Sequence, residues 1–280
     1  MRLALMCTPD AGTGLGTERV SELLGRRGAD VESFNREKLD EAIAAGADRL
    51  VVAGGDGSVA PVAAAAAEAT VPLAVIPTGT ANNFARAEGV PEDIEEACRV
   101  AALSETTRTL ELGRAGERPF VNLASAGLAP IAADRALRWK KLLGPTAYAV
   151  GAVAAAATTP PIPCEVTADG ERAFDGRTWQ VIVASSGAFG PGTQIEVADT
   201  EDGTLDLVVV PARRRAELVR RGWWAIRGRI ASQPGAISAR AYTFDVQVPE
   251  GTRFNIDGEV IKLGSTRFTI EPEAFRLVVP

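Results

Sequence analysis

A glycine-rich segment early in the sequence has residue types and spacing that suit phosphate binding. It consists of Gly54, Gly55, Asp56, Gly57 and Ser58. The segment follows the apolar run Leu50–Ala53 and precedes a helical pattern, so it lies where a strand leads into a helix. In an open parallel sheet, ligands bind beyond the carboxyl ends of the strands. Glycines let backbone N–H groups approach a phosphate, and a helix N-terminus favours negative charge.

We therefore expect a phosphate site at this segment, with Asp56 holding Mg²⁺ or orienting a metal-bound water. The alternative is a tight turn without a ligand, in which Ser58 is the N-cap of the following helix.

A second loop of similar composition follows the next predicted strand, Leu73–Ile76. It contains Gly79 and, at the start of another helical pattern, the polar side chains of Thr80 and Asn82. Taken alone, this loop is also explained by ordinary helix capping through Thr80 or Asn82. Two such loops after successive strands favour a shared nucleotide cleft.

The elements that must position these loops alternate between strand and helix in the first third of the sequence. Short apolar runs, such as Leu3–Cys7 and Leu50–Ala53, are separated by segments with helical spacing. This alternation indicates a parallel sheet covered by helices on both faces. After about Arg108, short strand patterns joined by Gly and Asp-Gly turns predict an antiparallel β-sandwich domain.

The strands predicted in this second part are Phe120–Leu123, Cys164–Ala168, Thr178–Ala184, Leu205–Val210, Ala241–Val248, Arg253–Ile256, Thr266–Ile270 and Phe275–Val279. The helical patterns that interrupt them are Ile131–Leu143, Thr146–Ala157 and Ala216–Arg229. We expect a boundary near 108–113. The first domain would be an α/β nucleotide-binding domain over 1–110, and the second a β-sandwich over 111–272, with strand 273–280 packing back on the first.

The composition excludes several classes of function. None of the 280 residues is histidine, which removes Ser-His and Cys-His nucleophiles and His-ligated metal sites. The net charge of −6 argues against nucleic acid as a partner. The three cysteines are too widely spaced for a disulfide framework or a zinc site. The first residues lack a signal-peptide core and no run approaches the roughly 18 apolar residues of a membrane span, so we expect a soluble, cytoplasmic protein.

Together the two loops resemble those of the diacylglycerol kinase catalytic-domain family, and the resemblance extends over nearly the whole chain. The other segments that carry it are Val121–Gly127, the stretch from Gly190 through Asp202-Gly203-Thr204-Leu205-Asp206, the stretch Phe254-Asn255-Ile256-Asp257-Gly258-Glu259, and Phe275–Pro280. Each segment is short, but five in the family's order and spacing form a specific pattern.

The resemblance implies an ATP- and Mg²⁺-dependent kinase that phosphorylates a lipid alcohol, such as diacylglycerol or a sphingoid-like lipid, at a membrane surface. The residues that it implies for ATP binding are Gly54, Gly55, Asp56, Gly57, Ser58, Thr80 and Asn82. Asp202, with the backbone carbonyls of Asp199 and Thr204, would hold a structural Mg²⁺.

The resemblance also implies catalytic roles for three acids. Glu259 would accept the proton of the substrate hydroxyl, with Asp257 beside it, and Asp56 would act at the phosphate loop. These roles agree with the composition, because phosphoryl transfer depends on positioning, metal ions and a carboxylate, and needs no histidine.

An identical triplet occurs elsewhere in the chain. Asp169-Gly170-Glu171 repeats Asp257-Gly258-Glu259, and Asp-Gly is a common hairpin turn. We interpret the first triplet as a turn and the second as catalytic, because only the second has the family's position in the sequence.

Several positions depart from the family pattern and leave two alternatives open. Ala60 and Pro61 replace the usual Asn-Glu, Asn83 stands where Asp is common, and Ala129 stands where an acid often occurs. With fewer acids to organise metal, the chain could be a non-catalytic nucleotide- or lipid-binding relative. A kinase of a soluble substrate such as NAD is the other alternative, although the Asp-Gly-Glu segment argues against it.

A basic segment, residues 213–230, is unusual in this acidic chain. It carries seven arginines against one glutamate, with an apolar stripe that includes Trp223. One interpretation is a peripheral contact with anionic lipid at the inner face of the membrane. The other is a helix packed on the β-sandwich with a solvated basic face. The sequence also allows a homodimer.

Overall fold

The computed structural model describes residues 1–7, 16–35, 38–132, 155, 158–185, 203–213 and 235–280. Most of the three predicted helices of the second part, most of the basic segment, and the predicted metal ligands Asp199 and Asp202 lie outside these residues. Within the described residues, no helix is long and apolar enough to span a bilayer.

The first part of the chain alternates strand and helix, as predicted. Its elements are β1 (Arg2–Cys7), α1 (Thr17–Gly25), β2 (Asp30–Asn35), α2 (Leu39–Ala44), β3 (Arg49–Gly54), α3 (Asp56–Ala69), β4 (Leu73–Pro77), α4 (Asn83–Ala87) and α5 (Ile94–Leu103). The strands pair in parallel in the order β2-β1-β3-β4. Only β2, an exposed strand at the sheet edge without a continuous apolar run, was not predicted.

Alternate side chains of these strands enter two different cores, one on each face of the sheet. Along β1, Leu3 and Leu5 pack with α1 and α5, whereas Ala4 and Met6 pack with α2 and α3. Helix α3 is buried along most of its length, and its small alanine side chains let it pack closely on the sheet. The prediction of a parallel sheet covered on both faces is confirmed.

The second part of the chain forms an antiparallel β-sandwich. Its strands are β5 (Thr107–Ala115), β6 (Arg118–Phe120), β7 (Leu123–Gly127), β8 (Ile162–Ala168), β9 (Glu171–Ala184), β10 (Leu205–Pro211), β11 (Ile237–Ala241), β12 (Thr243–Gln247), β13 (Thr252–Ile256), β14 (Glu259–Leu263) and β15 (Thr266–Val278). Its core is centred on Phe268, whose ring lies 6.3 Å from that of Phe120 and 6.2 Å from that of Phe254, between ring centroids. The predicted fold class, an α/β part followed by an antiparallel β-sandwich, is therefore confirmed.

One long strand joins the two parts. The beginning of β15 pairs with β12 in the sandwich, and near its end Leu277 lies beside Leu73 of the parallel sheet. Strand β5 pairs antiparallel with β15 on both sides of a bulge between Glu271 and Phe275. The boundary expected near 108–113 therefore falls inside a paired strand, and the two strands predicted at 266–270 and 275–279 are one.

Two predicted strands are interrupted for reasons of pairing. The strand predicted at Ala241–Val248 is two strands separated at Tyr242, because β11 pairs with β10 while β12 pairs with β8 and β15. The strand predicted at Phe120–Leu123 is broken at Val121 and Asn122, whose N–H groups are donated to a side chain instead of a neighbouring strand.

Replacing Gly113 with alanine should destabilise the junction between β5 and β6. Gly113 faces the buried ring of Phe120 across these strands, and a Cβ atom at residue 113 would overlap with that ring. We expect the free energy of unfolding, measured by urea denaturation, to fall by about 1–3 kcal/mol, the usual cost of overpacking.

The matched control is Gly25→Ala, because a Cβ atom at Gly25 would have no neighbour within 4 Å. This variant should be as stable as the original chain or slightly more stable. Equal stability of the two variants would contradict the packing argument.

Candidate active site

The two glycine loops predicted to share a cleft lie side by side. Strands β3 and β4 are parallel neighbours, and the N–H of Thr78 donates to the carbonyl of Gly54 at 3.1 Å. Beyond these strand ends, a Cβ atom at Gly55 would lie only 3.2 Å from the Cα of Gly79, and one at Gly79 would overlap with Gly55. The close approach therefore requires glycine at residue 79 and leaves little room for a side chain at residue 55.

Asp56 links the first loop to the second. Helix α3 begins at Asp56 with Gly55 as its N-cap, so the alternative in which Ser58 caps this helix is wrong. Oδ1 of Asp56 accepts the N–H of Phe84, in the first turn of α4, at 2.9 Å, and lies 3.4 Å from Nδ2 of Asn122. The carboxylate thus caps a neighbouring helix and joins three segments of the chain.

The second loop presents polar atoms that have no hydrogen-bond partner within the described structure. Asn82 occupies the N-cap position of α4 in a left-handed conformation (φ 48°), and its Nδ2 donates to the carbonyl of Gly79 at 3.0 Å. Its Oδ1 and the Oγ1 of Thr78 are buried without a partner among the described residues. Buried polar atoms without partners are costly, so these two suit a ligand. Thr80 is exposed in the same loop.

The two Asp-Gly-Glu triplets share one backbone conformation. Asp257 and Gly258 have φ values of 46° and 93°, and Asp169 and Gly170 have 47° and 86°. Both pairs connect adjacent antiparallel strands, as expected of two-residue hairpin turns with positive φ.

The surroundings of the two aspartates differ. Asp169 is exposed and accepts the N–H groups of Tyr242 and Thr243. Asp257 is buried, and its oxygens accept three successive backbone N–H groups: Val121 at 2.7 Å, Asn122 at 2.9 Å and Leu123 at 3.0 Å.

Burial determines the protonation of Asp257. Removal from water raises its pKa to about 7; the three N–H groups act in the opposite direction, and the nearby carboxylate of Asp56 adds to the increase. Because both oxygens are engaged and buried, Asp257 is better placed to hold the hairpin than to act on a substrate, in contrast to the catalytic role expected from the sequence.

Glu259, the predicted base, lies against the first glycine loop. It is the first residue of β14, and a Cβ atom at Gly57 would be 3.1 Å from its Cγ and 3.2 Å from its Oε1. Its Oε2 forms an ion pair with the guanidinium of Arg118 on β6. A cavity of about 200 Å³ lies here between α3 and the hairpin. Its lining residues are Gly57, Ala60, Pro61, Arg118, Pro119, Ile256, Asp257 and Glu259.

The predicted structural metal site is described only in part. Thr204 follows Gly203, whose N–H donates to the buried carboxylate of Glu111 at 2.9 Å. Across the described residues, His, Cys, Asp and Glu side chains form no cluster of three or more that could hold a metal ion. The Mg²⁺ site at Asp199, Asp202 and Thr204 therefore stays a prediction.

Sequence reasoning missed three residues that the structure brings to or near the site. Asn122 lies within a segment that the family pattern includes, but its contact with Asp56 has no local signal. Arg118 and Glu111 belong to no motif, and only the pairing of distant strands brings them into place.

Two family models together match almost all of the chain. Residues 2–115 match the diacylglycerol kinase catalytic domain, and residues 122–279 match the YegS C-terminal NAD kinase beta sandwich-like domain.

Among curated proteins, the chain is 31% identical over 246 residues to a probable lipid kinase YegS-like from Pseudomonas fluorescens, covering 86% of this chain and 81% of that protein. It is 30% identical over 217 residues to a diacylglycerol kinase from Bacillus subtilis, covering 76% and 71% of the two chains. A solved structure of a putative diacylglycerol kinase from Bacillus anthracis has a TM-score of 0.79 at 21% identity, covering 100% of this chain and 97% of the other, which shows a common fold.

The titration of Asp257 should make the protein less stable as the pH rises toward neutrality. The pKa of Asp257 is raised to about 7 in the folded chain, whereas an unfolded aspartate titrates near pH 4. Between these values the folded state keeps a proton that the unfolded state has released. The free energy of unfolding should therefore fall by on the order of 1 kcal/mol per pH unit from about pH 4 to about pH 7, and this contribution should be constant above that range.

Urea denaturation at pH 5, 6 and 7 measures this slope. Asp257→Asn should remove it, while Asp169→Asn, in the identical but exposed turn, should keep it. Parallel curves for the original chain and Asp257→Asn would contradict the assignment.

Proposed function

Because the chain belongs to the diacylglycerol kinase catalytic-domain family, we propose that it transfers the γ-phosphate of ATP to the hydroxyl of a lipid alcohol, such as diacylglycerol or a sphingoid-like lipid. The observation that carries this proposal is the position of Glu259. Its carboxylate lies against Gly57 in the phosphate-binding loop and faces a cavity that can admit a hydroxyl group.

The loops of the first part supply the ATP site. Gly55 and Gly79 have no side chains and lie close together beyond the strand ends. Backbone N–H groups there can therefore approach phosphate oxygens. The N-terminus of α3 adds a favourable dipole. The buried oxygens of Thr78 and Asn82, which have no partner among the described residues, are available to the nucleotide.

Asp56 fits a role in holding Mg²⁺ together with the phosphates of ATP. Magnesium is commonly bound by one or two carboxylates with substrate phosphates and water, so a single aspartate at the loop is sufficient. When bound, Mg²⁺ would neutralise negative charge on the phosphates. We further propose that Asp199, Asp202 and Thr204 hold a second, structural Mg²⁺, which rests on the family pattern.

Glu259 is the proposed general base. Its contact with Gly57 supports this role, because an acceptor hydroxyl beside this carboxylate would lie near a phosphate held by the loop. The carboxylate takes the hydroxyl proton as the hydroxyl oxygen bonds to the γ-phosphorus, the bond from that phosphorus to the bridging oxygen breaks, and ADP leaves. Asp257 supports this group by fixing the hairpin turn that precedes it.

A second candidate is a nucleotide- or lipid-binding protein without turnover. It is favoured by Ala60 and Pro61, which replace polar family residues and form an apolar wall of the cavity beside Glu259. A soluble acceptor such as NAD is a third candidate. For the lipid kinase, we propose that residues 213–230 contact the inner face of the membrane.

Replacing Glu259 with glutamine should abolish most phosphoryl transfer while ATP still binds. The assay incubates the chain with ³²P-labelled ATP, Mg²⁺ and a mixed lipid extract and follows label in the lipid phase. Loss of a general base should reduce the rate by about 10²–10⁴-fold. Asp56→Asn should reduce the rate as well.

The matched control is Glu171→Gln, which makes the same change in the second Asp-Gly-Glu hairpin and should leave the rate unchanged. Labelled product in the aqueous phase would favour a soluble acceptor. ATP binding without any product in the original chain would favour the non-catalytic candidate, and equal rates for Glu259→Gln and Glu171→Gln would overturn the role of Glu259.

A further inference from the structure

The ion pair between Arg118 and Glu259 occupies the position where the proposed reaction takes place. Oε2 of the proposed base is paired with the guanidinium, so this oxygen must be released before it can accept a proton. Both side chains are about one-third exposed, 36% for Arg118 and 34% for Glu259. Ion pairs with this much exposure contribute little to stability, so the pair can be exchanged at little cost.

The glycine loops contain no cation of their own. Residues 54–61 and 77–83 include neither lysine nor arginine. Arg86, in α4, is exposed and paired with Glu92. Among the residues that line the cavity beside Gly57, Arg118 is the only one with a positive charge. Arg118 is therefore the one positively charged side chain in the lining of the described cavity beside the phosphate loop.

Glu259 and a terminal phosphate would compete for this cation. Arginine recognises carboxylate and phosphate with the same planar donors, and the phosphate carries the larger charge. Glu259 contacts Gly57 of the phosphate loop and is paired with Arg118. The guanidinium therefore lies close to this loop.

We propose that Arg118 is a phosphate-binding residue that exchanges partners. It pairs with Glu259 while the cleft is empty and turns to the terminal phosphate of ATP when the nucleotide binds. The exchange frees Oε2 of Glu259 to accept a proton when the phosphate donor is in place. This inference rests on the proposed function, because it requires ATP in the cleft.

Nucleotide affinity measured by isothermal titration calorimetry with Mg²⁺ tests the exchange without depending on activity. Arg118→Gln should weaken ATP binding by about tenfold and ADP binding by less than about threefold, since only ATP has the terminal phosphate. The ATP affinity of Arg118→Lys should lie between those of the original chain and Arg118→Gln, because lysine keeps the positive charge but lacks the planar donors of the guanidinium. Arg114→Gln is the matched control, since Arg114 forms a similar pair with Glu271 and does not line the cavity.

A double-mutant cycle separates exchange from simple charge repulsion. Glu259→Gln should tighten ATP binding by about threefold or more, because Arg118 no longer has to leave a partner. The same substitution in the Arg118→Gln background should have no effect. If repulsion between Glu259 and ATP were the cause, the tightening would persist in that background, and the inference would be overturned.

Two further outcomes distinguish failure of this inference from failure of the proposed function. This inference alone is overturned if Arg118→Gln loses affinity for ATP and ADP equally. It is also overturned if Arg118→Gln melts at the same temperature as the original chain and loses no affinity for ATP. An original chain that binds neither nucleotide overturns the proposed function and the inference with it. Arg118→Lys provides the comparison if Arg118→Gln does not fold.

Discussion

The buried carboxylate of Asp257 is the constraint on which the cleft depends. It accepts three successive backbone N–H groups, which belong to the two residues between β6 and β7 and to the first residue of β7. Through Asn122 the same segment reaches Asp56 at the start of α3. The β13–β14 hairpin, the sandwich and the phosphate loop are thereby held in one arrangement, and Glu259 faces Gly57 as a result.

The local pattern of apolar residues was sufficient to predict most strands and helices of the parallel sheet. Apolar runs such as Leu50–Ala53 and Leu73–Ile76 predicted parallel strands, and strands that follow each other in such a sheet commonly lie side by side. The sequence therefore predicted that the two loops share a cleft, and the structure adds the close approach of Gly55 to Gly79. Local pattern missed β2, which is an edge strand without a continuous apolar run, and it also missed β5 and β14.

The roles within the site could be predicted only in part, because identical local sequences acquire different surroundings. Asp169 and Asp257 occupy the same turn, yet one is solvent-exposed and the other is enclosed by the backbone of residues 121–123. No property of the triplet encodes that difference. Likewise, nothing near Arg118 in the sequence indicates its partner. Arg118 lies in β6 and Glu259 in β14, so the contact depends on how strands far apart in the chain are arranged.

The course of β15 has a consequence for how the protein is made. Phe275 and Leu277, near the end of the chain, are buried in the same core as Leu50 and Leu73 from near its beginning. A ribosome that has synthesised only the first part has therefore produced a sheet that lacks a strand and part of its core. The nucleotide-binding part therefore cannot complete its core until residues 275–277 have been synthesised and have joined the sheet.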